Sequence, residues 1–312
     1  MKMNQNCKRV NGLFLSIILL YLGIVAFFSF LTIQGVSPGI ITRLMTSELL
    51  VLVPGVTYIL CSKRKLTELM PVKKLKISTC LIMVLYTACL MPIASFVNAI
   101  SLLFTENIML SESEIFLAYP LPVMLLIVGA FGPFCEEFIF RGVIFGAYRN
   151  TGMTWGAIVL SSLLFGLMHM NINQFCYAFV LGIAFALVVE ATGSIWSGFI
   201  AHLLINSNSM VMMHVSDWMT EATGGLANAY VDMDISEMLY PMIGVLLIIA
   251  TFAVAIGACI LVWMAKNEGR LERLQEIFSK QQFRVKGLIS WQIVVAILIC
   301  IAVIVSSMIL SY

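Results

Sequence analysis

Charged residues are scarce in this chain. Aspartate, glutamate, lysine and arginine make up 11% of its 312 residues, against about 25% in a typical soluble domain. Hydrophobic residues make up 61%, and the mean hydropathy is +1.02. So few charges cannot cover an apolar core with a polar surface, which excludes a soluble globular protein. The net charge of +2 gives no basis for nucleic-acid binding.

Paired cysteines are also absent. The eight cysteines stand singly, mostly inside apolar stretches, and no CxxC spacing occurs. The sequence therefore predicts neither a disulfide framework nor a thiolate metal site, and the cysteines are interpreted as small membrane-helix residues.

Long apolar runs are abundant instead, and a spanning helix needs about 20 mainly apolar residues. The runs fall near 13–33, 40–62, 77–104, 120–147, 154–170, 175–192, 196–214, 240–264 and 289–310. They predict an all-α, polytopic membrane helix bundle of about eight to nine spans. The first run lacks a clear cleavage site and is interpreted as an uncleaved span.

The distribution of charge predicts the orientation, because cytoplasmic loops are rich in lysine and arginine. With the N-terminus cytoplasmic, the inner segments carry Lys2, Lys8, Arg9, Lys63, Arg64, Lys65, Lys73, Lys74, Lys76, Arg149, Lys266, Arg270, Arg273, Lys280, Arg284 and Lys286. The outer loops carry Glu106, Glu112, Glu114, Asp217, Glu221, Asp232, Asp234 and Glu237. Segment 266–286 is expected to be either an amphipathic inner-surface helix or a solvated connector. The abundance of isoleucine, methionine and lysine suits a bacterial plasma membrane.

One window of the apolar sequence, 120–214, concentrates polar residues that are costly in hydrocarbon and are normally functional. All three histidines of the chain lie there, and the third of them, His214, is expected to be an interfacial residue because it ends a run. The polar residues are Glu136, Glu137, Arg141, His169, His202 and Asn206. Glu190, which ends a run, is expected to be an interfacial residue instead.

The spacing of these residues predicts how they share helix faces. Glu137 and Arg141 are four apart and can form an ion pair. Glu136 is turned by about 100° from Glu137, so it can face a different cavity. His202 and Asn206 also lie one turn apart on one face.

The predicted spans leave a difficulty of depth. Glu136 falls past the middle of its run, whereas His169 falls near the outer end of the next one. Gly132 and Pro133 precede the glutamates and predict a kink or break. Either the boundaries near 120–170 differ from the runs, or the residues after Pro133 form a broken helix that lines a water-filled cavity.

Carboxylates, imidazoles and an amide in one membrane site can activate water. A carboxylate takes a proton from water, histidine orients or shares it, and further donors stabilise an oxyanion. The same side-chain types can bind zinc, for which Glu136, His169 and His202 are the candidates. Both alternatives indicate hydrolysis of an acyl or peptide bond. A serine nucleophile at Ser161 or Ser162 is less convincing, because no nucleophile-elbow pattern surrounds them.

At these residues the sequence resembles the CPBP family, the CAAX-protease and bacteriocin-processing (Abi) intramembrane endopeptidases. The family motifs EExxxR, FxxxH and HxxxN appear in this chain as EEFIFR at 136–141, FGLMH at 165–169 and HLLIN at 202–206. The resemblance covers roughly 120–210 and implies three regions. These are N-terminal transmembrane helices at 1–119, a catalytic helix core at 120–214, and an outer acidic loop, two further spans and a basic inner connector at 215–312.

The resemblance also implies a role for each motif residue. Glu136 would activate the attacking water with the help of His169. His202 and Asn206 would stabilise the oxyanion, while Glu137 pairs with Arg141 to hold the site. The family is described both as a zinc metalloprotease and as a metal-independent glutamate type. The metal-free alternative is favoured because no HExxH-like spacing occurs.

The sequence therefore predicts an intramembrane endopeptidase with a polar intramembrane cavity. It acts on a peptide or membrane-protein substrate within the lipid bilayer. Two alternatives remain: a non-catalytic scaffold or bacteriocin-immunity protein on the same fold, and a proton-coupled transporter that uses the same residues as a relay.

Overall fold

The computed structural model describes residues 5–62, 65–107, 111–223, 235–279 and 285–310. These residues form twelve helices, and among them the only β-type pairing is an isolated bridge between Val72 and Ser194. The helices are α1 (Gln5–Ile33), α2 (Ile40–Ser62), α3 (Leu66–Leu69), α4 (Ile77–Ser101), α5 (Ser113–Leu117), α6 (Leu121–Arg149), α7 (Thr154–Met168), α8 (Ile172–Thr192), α9 (Ile195–Ala222), α10 (Ile235–Asn267), α11 (Leu271–Ser279) and α12 (Trp291–Leu310).

The prediction of an all-α membrane bundle is confirmed. Each of the nine apolar runs corresponds to a helix, and seven helices are long and apolar enough to cross a membrane. The other two are α7, which has only 15 residues, and α9, which is less apolar than the seven. The protein is thus an integral membrane protein. Much of the predicted outer acidic loop falls on 224–234, outside the described residues.

Helices α6 and α8 form the centre of the bundle. In the most apolar window of each, 50% and 56% of the residues are buried, against 11–22% in the other five candidate spans. Helix α7 packs on α8, α4 packs on α10, and α1 packs on α12. Helix α6, which carries both glutamates of the first motif, therefore lies inside the protein, where polar side chains can be held away from lipid.

Helix α6 is continuous from Leu121 to Arg149, so the predicted break after Pro133 does not occur. Two π-helical segments, Leu125–Phe131 and Phe138–Ile144, flank the short α-helical stretch that carries both glutamates. Such π segments widen the helix and alter which backbone groups pair, and they are frequent at functional sites.

The depth difficulty is resolved by the short length of α7. At 1.5 Å per residue, His169 lies about 22 Å along the axis from the beginning of α7 at Thr154. Glu136 lies about 20 Å from the end of α6 at Arg149 by the same arithmetic. Because these two helix ends are joined by a four-residue connection, both side chains reach a similar depth.

Glu190 lies near the C-terminal end of α8, and its side chain is completely buried within the protein. Its carboxylate oxygens lie 3.0 Å from Arg149 Nε, 3.0 Å from Arg273 Nε and 3.6 Å from an Arg270 terminal nitrogen. Arg270 Nε also donates to the backbone carbonyl of Glu190 at 2.8 Å. The carboxylate is therefore charge-compensated inside the protein at the C-terminal end of α8.

The amphipathic alternative for the segment after α10 agrees with the structure over α11. Leu274 and Ile277 are buried, and Trp155 Nε1 donates to the Ile277 carbonyl at 2.7 Å. Phe278 packs edge-on against Trp155 although it is 48% exposed. Residues 280–284 of the predicted segment lie outside the described part of the chain.

A second buried carboxylate, Glu268, joins the end of α10 to the beginning of α4. It accepts hydrogen bonds from Thr79 Oγ1 at 2.6 Å, the Lys76 backbone N–H at 2.9 Å and Lys73 Nζ at 3.2 Å. Burial alone would raise the pKa of this carboxyl, but these donors and the Lys73 charge outweigh it, and the pKa of Glu268 is lowered from its usual value.

Gly146 marks a close approach between α6 and the end of α3. A Cβ atom at this position would lie 2.1 Å from the Leu69 carbonyl oxygen. We expect Gly146→Ala to destabilise the protein by about 1–3 kcal/mol, because backbone must move to relieve the overlap. Gly244→Ala, where nothing lies within 4 Å, is the matched control. Thermal unfolding in detergent measures both, and equal melting temperatures would contradict the prediction.

Candidate active site

A cavity of about 960 Å³ brings four of the predicted site residues together. Glu136, His169, His202 and Asn206 all line it, and they come from three different helices or helix ends. Glu137 and Arg141 are not among its lining residues. The polar cavity predicted from the sequence is therefore present, and the two glutamates have different surroundings.

Glu137 and Arg141 form a buried pair behind the cavity wall. The side chains are each 1% exposed, and an Arg141 terminal nitrogen lies 2.9 Å from Glu137 Oε1. The guanidinium lies over the ring of Phe165 at 4.2 Å and that of Phe185 at 5.1 Å. These aromatic faces favour a cation in a site that water does not reach.

His202 lies between the two glutamates. Its Nδ1 is 3.1 Å from Glu137 Oε1, and its Nε2 is 3.5 Å from Glu136 Oε2. The ring stacks on Phe185 with 5.1 Å between centroids. Gly198, one turn before His202 on α9, permits this approach, since a Cβ there would lie 2.6 Å from Glu137 Oε2.

This arrangement constrains the protons on His202. The carboxylate of Glu137, paired with Arg141, can only accept hydrogen bonds, so Nδ1 of His202 carries the donated proton. The opposite ring nitrogen, Nε2, then faces the carboxyl of Glu136. A proton can be held either on His202 Nε2 or on the Glu136 carboxyl. A general acid–base group needs this freedom, because it takes a proton from water and later returns it.

Asn206 is positioned by an irregularity in α6. The Gly132 N–H bonds to the Ile127 carbonyl in the π-helical register, and in that register the next N–H would bond to Val128. Residue 133 is proline and has no N–H. The Val128 carbonyl instead accepts a hydrogen bond from Asn206 Nδ2 at 3.2 Å. The Gly-Pro pair thus frees a backbone acceptor that fixes this amide beside the cavity.

His169 is held at the C-terminal end of α7. Its Nδ1 lies 3.0 Å from the Phe165 carbonyl, to which it donates, so Nε2 is the ring nitrogen left as an acceptor. Met170 follows with a φ of 56°, a left-handed conformation that ends the helix. The Asn171 side chain then caps α8 by accepting from the Gln174 N–H at 2.7 Å.

The arrangement of donors is compatible with both alternatives for the mechanism. Within the described ranges, no three side chains of histidine, cysteine, aspartate or glutamate are grouped so that they could hold a metal ion. His169 and His202 each place Nδ1 against an oxygen acceptor, which is also how a histidine that binds a metal through Nε2 is oriented. The metal-free alternative therefore stays a prediction.

The serines Ser161 and Ser162 do not reach the cavity. Each hydroxyl donates to the Ile158 carbonyl of its own helix, and both side chains are at most 2% exposed.

One cavity residue escaped the sequence reasoning. Glu48 on α2 lines the same cavity as Glu136. The signal that could have found it is its position as the single acidic residue in the apolar run 40–62. Because it belongs to no motif, nothing in the sequence links it to the glutamates of α6.

Fold and site together define an all-α membrane protein with buried carboxylates and imidazoles around an internal cavity. Residues 118–208 match the model of the family described as Type II CAAX prenyl endopeptidase Rce1-like. The resemblance to the CPBP family is thereby confirmed over this segment of the chain, which is similar to proteins named as membrane peptidases and CAAX proteases.

Two curated relatives are each similar to about a third of this chain. A protein of Bacillus subtilis named as a candidate membrane peptidase, YdiL, is 34% identical over 92 residues, covering 29% of this chain and 37% of its own length. The membrane-embedded CAAX protease MroQ of Staphylococcus aureus is 32% identical over 102 residues, covering 31% and 41%. The chain thus spans less than half the length of these relatives. No solved structure matches it significantly.

Proposed function

We propose that this protein is an intramembrane endopeptidase that hydrolyses a peptide bond with water activated by Glu136. The observation that carries the proposal is the position of Glu136. Its side chain is 13% exposed, borders the cavity and contacts His202, while the neighbouring carboxylate is paired with Arg141 behind the wall. One glutamate is thus available for proton transfer and the other is committed to structure.

Each motif residue then has a chemical task. Glu136 takes a proton from the attacking water, and His169 Nε2, the free acceptor, orients that water. The Asn206 amide, and His202 Nε2 when it holds the proton that it shares with Glu136, supply donors for the oxyanion that forms at the substrate carbonyl. Glu137 and Arg141 act through His202 by fixing its ring. The same proton returns from Glu136 to the leaving amine.

The substrate class follows from the cavity. Apolar residues such as Leu44, Ile127 and Phe185 line it together with the polar groups, which suits an extended peptide or a membrane-protein segment. Glu112 and Asp217 lie at the end that the charge distribution places outside the cytoplasm. We therefore expect substrates to enter from the outer side of a bacterial plasma membrane, with the N-terminus of the enzyme in the cytoplasm.

The test is cleavage of a peptide library by purified protein in detergent, with and without a chelator, read by mass spectrometry. We expect cleavage that survives chelation, because the proposed step needs only side chains of this chain. Activity that disappears with chelator and returns with zinc would contradict the metal-free mechanism. Absence of cleavage, combined with tight binding of a peptide or protein, would favour the scaffold or immunity alternative.

A further inference from the structure

We propose that the cavity selects a substrate with a lysine or arginine side chain near the cleaved bond, and that Glu48 binds that cation. This inference rests on the endopeptidase function proposed above and names the substrate class of the same site. It depends on three observations: the unpaired carboxylate oxygen of Glu48, the short distance between Glu48 and α6, and the negative charge of the cavity lining.

Glu48 is a half-buried residue, and one of its carboxylate oxygens lacks a partner. The Oε2 atom is inaccessible to solvent and has no hydrogen-bond partner among the described residues. Three fully buried carboxylates have cationic partners instead: Glu137 has Arg141, Glu190 has three arginines and Glu268 has Lys73. Because a carboxylate oxygen that is shielded from water and unpaired is costly, a cation supplied from outside would be stabilised there.

The position of Glu48 places it beside the reacting centre. A Cβ atom on Gly132 would lie 3.3 Å from Glu48 Oε1. Gly132 is one helical turn from Glu136, so the two residues share a face of α6. Glu48 therefore lies about one turn away from the proposed catalytic carboxylate. A side chain one or two residues from the cleaved bond could reach it.

The remaining lining of the cavity has the same sign of charge. Glu112 and Asp217 line it near its outer end, Glu136 and Glu48 line its deeper part, and no lysine or arginine occurs among the described lining residues. A row of carboxylates without a cation raises the local concentration of positively charged ligands. Leu44 and Val51, one turn either side of Glu48, offer apolar surface for the methylene stem of a lysine.

The experiment uses pairs of peptides that differ at one position, lysine against the uncharged isostere norleucine. We expect wild-type protein to cleave the lysine peptide about 10- to 100-fold more efficiently, as expected for a charge-assisted hydrogen bond. In Glu48→Gln this ratio should fall towards one. Glu114→Gln, an exposed glutamate outside the cavity lining, is the matched control and should keep the wild-type ratio.

Failure of this inference can be distinguished from failure of the proposed function. If no peptide is cleaved, the endopeptidase function fails, and fluorescence binding of the same peptide pair to wild-type protein still tests the selectivity. Equal handling of lysine and norleucine by wild-type protein would overturn the inference, even if Glu48→Gln did not fold. An unchanged ratio in a folded Glu48→Gln protein would overturn it as well.

Discussion

Replacing Glu136 with glutamine is expected to reduce the rate of peptide cleavage by a factor of about 10²–10⁴, the range for loss of a general base. Glutamine has nearly the same size and keeps hydrogen-bonding capacity, but it cannot accept a proton from water. The Glu137–Arg141 pair remains in place behind the cavity. The loss should therefore appear in kcat, measured with a purified cleaved peptide, and should not be accompanied by loss of the folded protein.

The exposed glutamate Glu114 again provides the control, since its replacement by glutamine removes the same charge from the same chain without touching the cavity. Both variants should show the wild-type melting temperature within a few degrees. A Glu136→Gln protein that cleaves at the wild-type rate would exclude Glu136 as the base. If cleavage persisted and required a metal, the site would have to be reconsidered as a metal centre.

The second large effect concerns stability. Arg141→Met should destabilise the protein by about 3–5 kcal/mol, because it leaves the Glu137 carboxylate buried and uncompensated. Methionine fills much of the space between Phe165 and Phe185 that the guanidinium occupies. The expected cause of the loss is thus electrostatic. Thermal unfolding in detergent, followed by tryptophan fluorescence, measures it.

A double variant separates charge from packing. Glu137→Gln combined with Arg141→Met removes both charges and should recover most of the stability lost in Arg141→Met alone. Glu276→Gln disrupts the partly exposed contact with Arg273 and should cost less than about 1 kcal/mol. If the double variant were no more stable than Arg141→Met, the packing of the Arg141 side chain rather than its charge would account for the loss of stability.

The fold was predictable from the sequence because the length of each apolar run largely determines whether that run forms a membrane helix. Each of the nine runs became a helix, and the run at 154–170 already contained the short α7. The depth difficulty arose from treating every run as a full crossing. A 15-residue helix reaches only about 22 Å, so His169 ends within the bilayer thickness of about 30 Å. Its length, not a break after Pro133, brings it level with Glu136.

The site was predictable in its residues but not in all of its contacts. The four-residue spacing of Glu137 and Arg141 is local information. In contrast, the contact of His202 with both glutamates joins positions 65 residues apart and depends on the close approach at Gly198. Glu48 could not be assigned to the site from the sequence, because it approaches Gly132 only through the tertiary packing of α2 against α6. The arginine partners of Glu190 could not be assigned for the same reason, since they come from distant segments.

The arginines around Glu190 also indicate whether residues 118–208, the segment that matches the family model, could be stable without the rest of the chain. The family match ends at residue 208, yet the carboxylate inside that segment is compensated by Arg270 and Arg273 from beyond it. Arg273 on α11 and Arg270 just before it are thus cationic partners that are synthesised well after Glu190. A chain ending at residue 208 would hold that carboxylate with Arg149 alone. Glu190 therefore depends on the C-terminal third of the chain for two of its three cationic partners.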